Sequence, residues 1–250
     1  MPEPEKLILM LDILGFEDFF LRHGLDYTTR LYKQLSDYVD SQDGGLSIIP
    51  VPNGDGTVSP AVGWLVTEHC RFSDTILIWS HYDQLRLWDF SDMCSELICQ
   101  SLELGFAVRG AITVGEAMLD NQSSTYLGSP LIEAARVEKA QKWIGASFGP
   151  SFNRNPYNSN LPLKNVLAYR QHTKEGYESF VPGLVLDWPR KWRETRNRDL
   201  SAVLKALPRN ESHELYYRIT NEFIDFSFIN HDWFFTEKKL SFHESNEYPR

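Results

Sequence analysis

The chain opens on an unbroken apolar run, Leu7 to Leu11 in "KLILMLDILGFEDFF", the pattern of a strand buried on both faces. Residues 7–14 are predicted as that strand. From Phe16 the period changes: Phe16, Phe20, Leu31, Leu35 and Tyr38 fall near helical spacing and predict a helix over 16–40. The stretch "SQDGGLSIIPVPNGDGTVSPAVG" reads as loop with room for one short strand, its "NGDG" at 53–56 a turn. "WLVTEHC" and "TILIWS" read as two strands joined by "RFSD", a tight hairpin with Asp74 at its tip. Leu85, Trp88, Met93, Leu97 and Ile98 predict a second helix over 82–104, and "FAVRGAITVGEAM" a further strand. "SPLIEAARVEKAQKWIG" predicts a third helix, with Ser129 as cap, Pro130 at its first position and Gly145 closing it.

The resulting order, β-α-β-β-α-β, is the split βαβ or ferredoxin-like arrangement of an α+β fold. Beyond residue 150, "SFNRNPYNSNLPL" reads as loop, "KNVLAYR" and "GLVLDW" as strands, and 210–230 as an aromatic-rich helix. The aromatic stripe Phe223, Phe226, Trp233 and Phe234 suits packing. With no internal repeat or linker, residues 1–150 are expected to form the core of one domain. Residues 151–250 are expected to add strands and a helical extension packed on it.

Composition narrows the function. At 250 residues the chain can bury a full core. Its 25 Lys and Arg against 34 Asp and Glu, net −9, disfavour a nucleic-acid polymer or an anionic membrane as partner. A small anionic ligand stays open, because a divalent metal can invert the charge of a local site. Cys70, Cys94 and Cys99 form neither a CxxC pair nor a disulfide framework, "MPEPEK" is no signal peptide, and no apolar run spans a bilayer. A cytoplasmic protein is expected.

Asp12 stands at the end of the first apolar run, where an unpartnered carboxylate costs roughly 3–5 kcal/mol. It is either a helix N-cap or one half of a cation site. In a β-α-β-β arrangement the end of the first strand and the tip of the next hairpin lie side by side, so Asp12 and Asp74 can converge. Gly15 and the helix start at Phe16 would then offer backbone N–H groups to phosphates.

Four segments carry a resemblance. "LDILGF" resembles the D-I-x-G-F signature of class III nucleotide cyclases, "FSDTILIW" their second metal-binding hairpin, "AVRGAITVGEAM" the strand that follows, and "YLGSPLIEAAR" their G-x-x-V-N-x-A-x-R segment. They occur in the family's order over residues 7–145. The resemblance implies two divalent ions, Mn²⁺ or Mg²⁺, on Asp12, Asp74 and the Ile13 carbonyl. It implies phosphate contacts from Gly15 and Phe16, and Arg136 as the transition-state arginine. It also implies a homodimer whose active sites are shared, with the metal aspartates from one chain and the arginine from the other.

Cys70, Thr125 and Ile132 stand where purine cyclases carry their base-reading Lys, base-reading Asp and ribose-binding Asn. Machinery kept and purine readers replaced most resembles the Pycsar pyrimidine cyclases of anti-phage defence, which make cyclic UMP or cyclic CMP for a separate nucleotide-sensing effector. Thr125 is a candidate base contact, Arg71 and His69 are each either a base contact or an exposed hairpin residue, and Arg109 and Glu116 read as structural. Two alternatives remain open: a cyclase acting on ATP or GTP, and an inactive nucleotide-binding module. The plain alternative for Arg136 is a surface residue paired with Glu133 or Glu138.

Overall fold

The computed structural model describes residues 5–42, 45–52, 58–82, 84–153, 165–208 and 213–231. The 53–56 turn, most of the loop after residue 150, and Trp233 and Phe234 lie outside these residues.

Strand β1 (Glu5–Ile13) is followed by α1 (Phe16–Gln42), which is two helices kinked at Gly24 and not the single expected helix, hairpin β2 (Gly45–Pro52) and β3 (Val58–Leu65), hairpin β4 (Glu68–Phe72) and β5 (Thr75–His81), helix α2 (Gln84–Glu103) and the long β6 (Val108–Asp120). Next come β7 (Thr125–Gly128), α3 (Ser129–Lys139), β8 (Gly145–Phe148), β9 (Val166–Ala168), β10 (Leu184–Leu186), α4 (Trp188–Thr195), α5 (Leu200–Ala206) and α6 (Glu214–Ile229). The main sheet runs β4-β5-β1-β6-β8-β10-β9, so strands from both halves of the chain share one sheet. Its first four strands, β4-β5-β1-β6, are antiparallel neighbours in the ferredoxin-like order, and β8 joins parallel to β6. The fold is α+β, as expected.

Alternation along β1 divides the layers. Leu7, Leu9, Leu11 and Ile13 enter the main core with Leu31 and Leu35 of α1 and Phe90, Leu97 and Ile98 of α2. Ile8 and Met10 face the other side, where Ala134 and Val137 of α3 and Tyr126 of β7 pack. Asp12 shares that second face by the same alternation. α6 extends the main core through Phe223 and Phe226, whose rings meet Tyr169. Among the described residues no helix is long and apolar enough to cross a membrane.

Several expected boundaries differ. The Gly- and Pro-rich segment forms a separate two-stranded ladder, β2 with β3, rather than mostly loop. The third helix stops at Lys139: buried Gln141 donates to the Val137 and Gly110 carbonyls and turns the chain into the sheet. Gly145 therefore starts β8 instead of closing a helix, and a Cβ there would meet Trp143 and Trp188 at 2.9 Å. Ser129 is the first helical residue; Gly128 holds the cap position, with no side-chain cap bond.

Close approach of β1 and β6 depends on Gly110, where an added Cβ would collide with the Met10 carbonyl and come within 2.5 Å of Leu11 Cδ2. Gly110→Ala should lower stability by about 1–3 kcal/mol through this overpacking, read as a shift in the urea midpoint. An unchanged midpoint would mean the two strands separate freely.

Candidate active site

The register sets the site. Asp12 closes β1 opposite Thr75 of β5 and Arg109 of β6. The Ile13 N–H donates to the Asp74 carbonyl at 3.0 Å, fastening the hairpin tip to the end of β1. Tyr32 of α1 holds the tip from beneath, its hydroxyl donating to the Ser73 carbonyl at 2.8 Å, where Ser73 adopts a positive φ of 53°. Asp12 and Asp74 are thereby brought together although 62 positions separate them in sequence.

Asp12 is not a helix cap. The Gly15 carbonyl accepts the first bond of α1, from the Phe19 N–H at 3.0 Å, so the cap position belongs to Gly15. Gly15 has φ +68°, a left-handed turn that turns the chain from β1 into α1. The first N–H groups of α1 have no partner within the helix and favour an anion. Glu17 and Asp18 in that first turn oppose one, so a polyphosphate here requires cations alongside it.

The Asp12 carboxyl is pushed up to about 6, first by burial and then by the charges of Glu138 and Asp74; Arg109 and Lys139 pull it back. Glu138 is a buried carboxylate on α3, ion-paired to Arg109. Arg109 Nη2 stands 3.7 Å from Asp12 Oδ2, beyond hydrogen-bonding reach. Its Nη1 donates to the Gln141 carbonyl at 3.0 Å and to the Tyr216 hydroxyl at 3.2 Å. Hard oxygen donors with uncompensated negative charge, beside a helix N-terminus, are a donor set that fits a divalent cation shared with phosphates. Among the described residues no group of three or more His, Cys, Asp or Glu side chains is gathered for a metal. A cation on Asp12, Asp74 and a backbone carbonyl such as that of Ile13 would thus draw its remaining ligands from water or substrate.

The other candidate residues divide. Arg136 is exposed on α3 and has no ion-pair or hydrogen-bond partner among the described residues. Its expected alternatives are taken: Glu138 binds Arg109, and Glu133 accepts from the Ser151 N–H at 2.8 Å. Two helical positions turn a side chain through roughly 200°, so Arg136 points away from the Asp12 that Glu138 faces, alongside exposed Ile132.

Thr125 pairs with Asp120 at the far end of β6, eleven positions from Arg109 and up to roughly 35 Å away at about 3.3 Å per residue. Cys70 lies on the face of β7, where its thiol shares a hydrogen bond with Tyr126, and burial pushes the thiol up. Arg71 faces the opposite way and donates to the Tyr32 carbonyl at 3.3 Å, so the structure does not bring it to Cys70 and Thr125. His69 lies 3.5 Å from Asp40. One chain gathers Asp12, Asp74, Ile13, Gly15 and Phe16 at one end and holds Thr125 and Arg136 elsewhere.

Sequence reasoning missed Tyr32, Glu138 and Tyr216, and read Arg109 as structural without placing it beside Asp12. The alternation of β6 could have found Arg109, since its register opposite Asp12 follows from the strand pairing. Nothing in the local pattern announces Tyr216.

No family model matches the sequence, and no curated protein does. Solved structures similar in chain path include the catalytic core of a rhodopsin-guanylyl cyclase with converted specificity in complex with ATPαS, at TM-score 0.45 and 10% identity, covering 70% of this chain and 91% of that one. The guanylate cyclase domain of RhGC from Catenaria anguillulae in complex with GTP gives a TM-score of 0.42 at 10% identity over 74% and 94% of the two chains. A bacterial light-regulated adenylyl cyclase gives 0.42 at 12% identity over 76% and 94%. At such scores the chemistry of this chain has to be argued from its own side chains.

Because the folded Asp12 carboxyl sits near 6 against 3.8 as its ordinary value, the folded state holds the proton more tightly between those pH values. Stability is therefore lost as pH rises through that window and is constant above it. In chelator at pH 8, Asp12→Asn should be more stable than the wild type by about 1–2 kcal/mol, allowing for solvent screening, and the advantage should vanish near pH 4. Mn²⁺ at pH 8 should raise the melting temperature of the wild type and not of the variant. A less stable Asp12→Asn at pH 8 would contradict the repulsion.

Proposed function

We propose that the protein is a class III nucleotide cyclase that converts UTP or CTP to the 3′,5′-cyclic monophosphate and pyrophosphate. The observation that carries the reading is the meeting of Asp12 and Asp74 beside the left-handed Gly15 turn and the start of α1. Asp12, Asp74 and the Ile13 carbonyl would hold Mn²⁺ or Mg²⁺. When bound, such ions lower the pKa of the ribose 3′-OH and neutralise the triphosphate.

The chain's own groups do the rest. The backbone N–H groups of Gly15 and Phe16 orient phosphate oxygens at the start of α1. Arg136, supplied by a second copy of the chain, stabilises charge on the α-phosphoryl oxygens as the ribose 3′-oxygen bonds the α-phosphorus and the bond to the leaving pyrophosphate breaks. Its exposed, unpaired position supports a role toward a partner, as does exposed Ile132 one turn before it on α3. A two-fold pair would repeat the arrangement in two sites, and Thr125 with Cys70 would meet the base there.

The pyrimidine preference rests on Cys70, Thr125 and Ile132 replacing the purine set. The product would serve in anti-phage defence in the cytoplasm as a messenger for a separate effector that senses the cyclic nucleotide.

Purified protein incubated with Mn²⁺ and each of the four nucleoside triphosphates should yield cyclic UMP fastest, cyclic CMP next and purine products poorly, as read by product mass. Preference for ATP or GTP would establish a purine cyclase instead, and no cyclic product from any of the four would leave an inactive binding module.

Asp12→Ala or Asp74→Ala should abolish turnover with the fold intact, and Arg136→Ala should lower it at least about 10³-fold. An equal mixture of Asp74→Ala and Arg136→Ala should recover about one quarter of wild-type activity, since half the pairs are mixed and each holds one complete site. No recovery, with subunit exchange confirmed by native mass, would rule out shared sites.

A further inference from the structure

The C-terminal helix α6 reaches back to the opposite end of the sequence. Its first turn meets two parts of the candidate site. The His213 ring covers the Gly15 turn so closely that a Cβ on Gly15 would stand 3.2 Å from its Cε1. Tyr216, one turn on, accepts a hydrogen bond from Arg109 Nη1 at 3.2 Å, and the guanidinium lies over its ring at 5.6 Å from the centroid. Among the described residues Arg109 is the cation recorded within 4 Å of the Asp12 carboxylate. Its Nη2 is ion-paired to Glu138 and stands 3.7 Å from Asp12, while its Nε has no partner among the described residues. Glu138 therefore does not grip the guanidinium with both arms. What fixes it on the other side is the Gln141 carbonyl and the Tyr216 hydroxyl.

We infer that Tyr216 is a positioning residue for cation binding: it holds Arg109 on Glu138 and off Asp12, leaving the Asp12 carboxylate open to a divalent ion. The inference rests on the cation site proposed above and gives part of the C-terminal region a task at that site. Without the hydroxyl, Nη1 keeps only the Gln141 carbonyl, and the guanidinium is free to turn through the short gap to Asp12. A guanidinium on that carboxylate competes with the incoming ion for the same oxygens. Tyr216→Phe retains the ring and its packing and removes only the acceptor, so the fold is kept.

The test is Mn²⁺ alone titrated into chelator-treated full-length protein, with the free ion followed by electron paramagnetic resonance. Tyr216→Phe should weaken Mn²⁺ binding about three- to tenfold, the range of one hydrogen bond. Leu215→Ala, an exposed neighbour on α6, should bind like the wild type. In turnover assays the Mn²⁺ concentration for half-maximal rate should rise by the same factor, with the rate at saturating Mn²⁺ little changed. In a background carrying Arg109→Gln with Glu138→Gln, Tyr216→Phe should have no further effect, because the cycle closes through Arg109.

Wild-type binding of Mn²⁺ with Tyr216→Phe indistinguishable from it overturns this inference and leaves the proposed function standing. A wild type that binds no Mn²⁺ removes the cation site and this inference together.

Discussion

The end of the molecule that holds Asp12 depends on one electrostatic constraint. Asp12, Asp74 and Glu138 are packed near each other, and the buried guanidinium beside them, Arg109, is committed to Glu138. Removing charges from water costs several kcal/mol each unless partners replace the lost hydration. Glu138 has its partner. Asp12 has none at hydrogen-bonding distance among the described residues, and burial, with the charges of Glu138 and Asp74, pushes its carboxyl up to about 6. Asp187 at the end of β10 is pushed up to about 6 by burial as well, but it has donors, one of them the Arg190 N–H as it caps α4. The surplus charge at Asp12 is what an incoming cation would relieve.

Holding that surplus in place takes the rest of the fold. Acidic side chains repel and would splay if their backbones could move apart. The β1 ladders to β5 and β6 prevent this at Asp12, and the bond from the Ile13 N–H to the Asp74 carbonyl prevents it at the hairpin tip. Tyr32 adds a brace from α1 to the Ser73 carbonyl, and burial, with the charges of Asp74 and Asp12, pushes its hydroxyl well above the usual phenol range. Tyr32 thus stays a neutral donor at any physiological pH. At the other side, α6 is anchored in the main core by Tyr217, Phe223 and Phe226, which lets its first turn present Tyr216 to Arg109 from a rigid base.

Where periodicity and turn chemistry agreed, the sequence was a good guide. β1, α1, the β4–β5 hairpin with Asp74 in its turn, α2 and β6 all follow from apolar spacing, and their order fixes which strand ends meet. Tertiary context defeated the pattern elsewhere. "SIIPVP" and "VSPAV" carry prolines that argue for loop, yet they pair only with each other, outside the main sheet, where a missing N–H does not interrupt the main ladder. "EKAQKWIG" keeps a helical look past Lys139, but Gln141, Trp143 and Ile144 are all buried, and tertiary packing outweighs propensity there. The Asp12–Asp74 approach was legible because Asp12 ends the first apolar run and Asp74 stands at the tip of the predicted hairpin. The face taken by Arg71 was not, since one residue of register decides it. Tyr216 was beyond reach, as a contact 107 positions from Arg109 leaves no local trace.

The two sides of α3 bring these threads together. Glu138 looks inward at Arg109 and the β1 end, while Arg136 and Ile132 look outward. A helix packed on a sheet cannot turn both sides to one carboxylate, so an Arg136 that acts on a phosphate held near Asp12 must act on that of another chain. Exposed Ile132 would then be covered where two copies meet. The same helix would serve one site through Glu138, by occupying Arg109, and the other through Arg136, by reaching across. Coupling of the two sites would follow from the rigidity of one three-turn helix, and it needs no moving part.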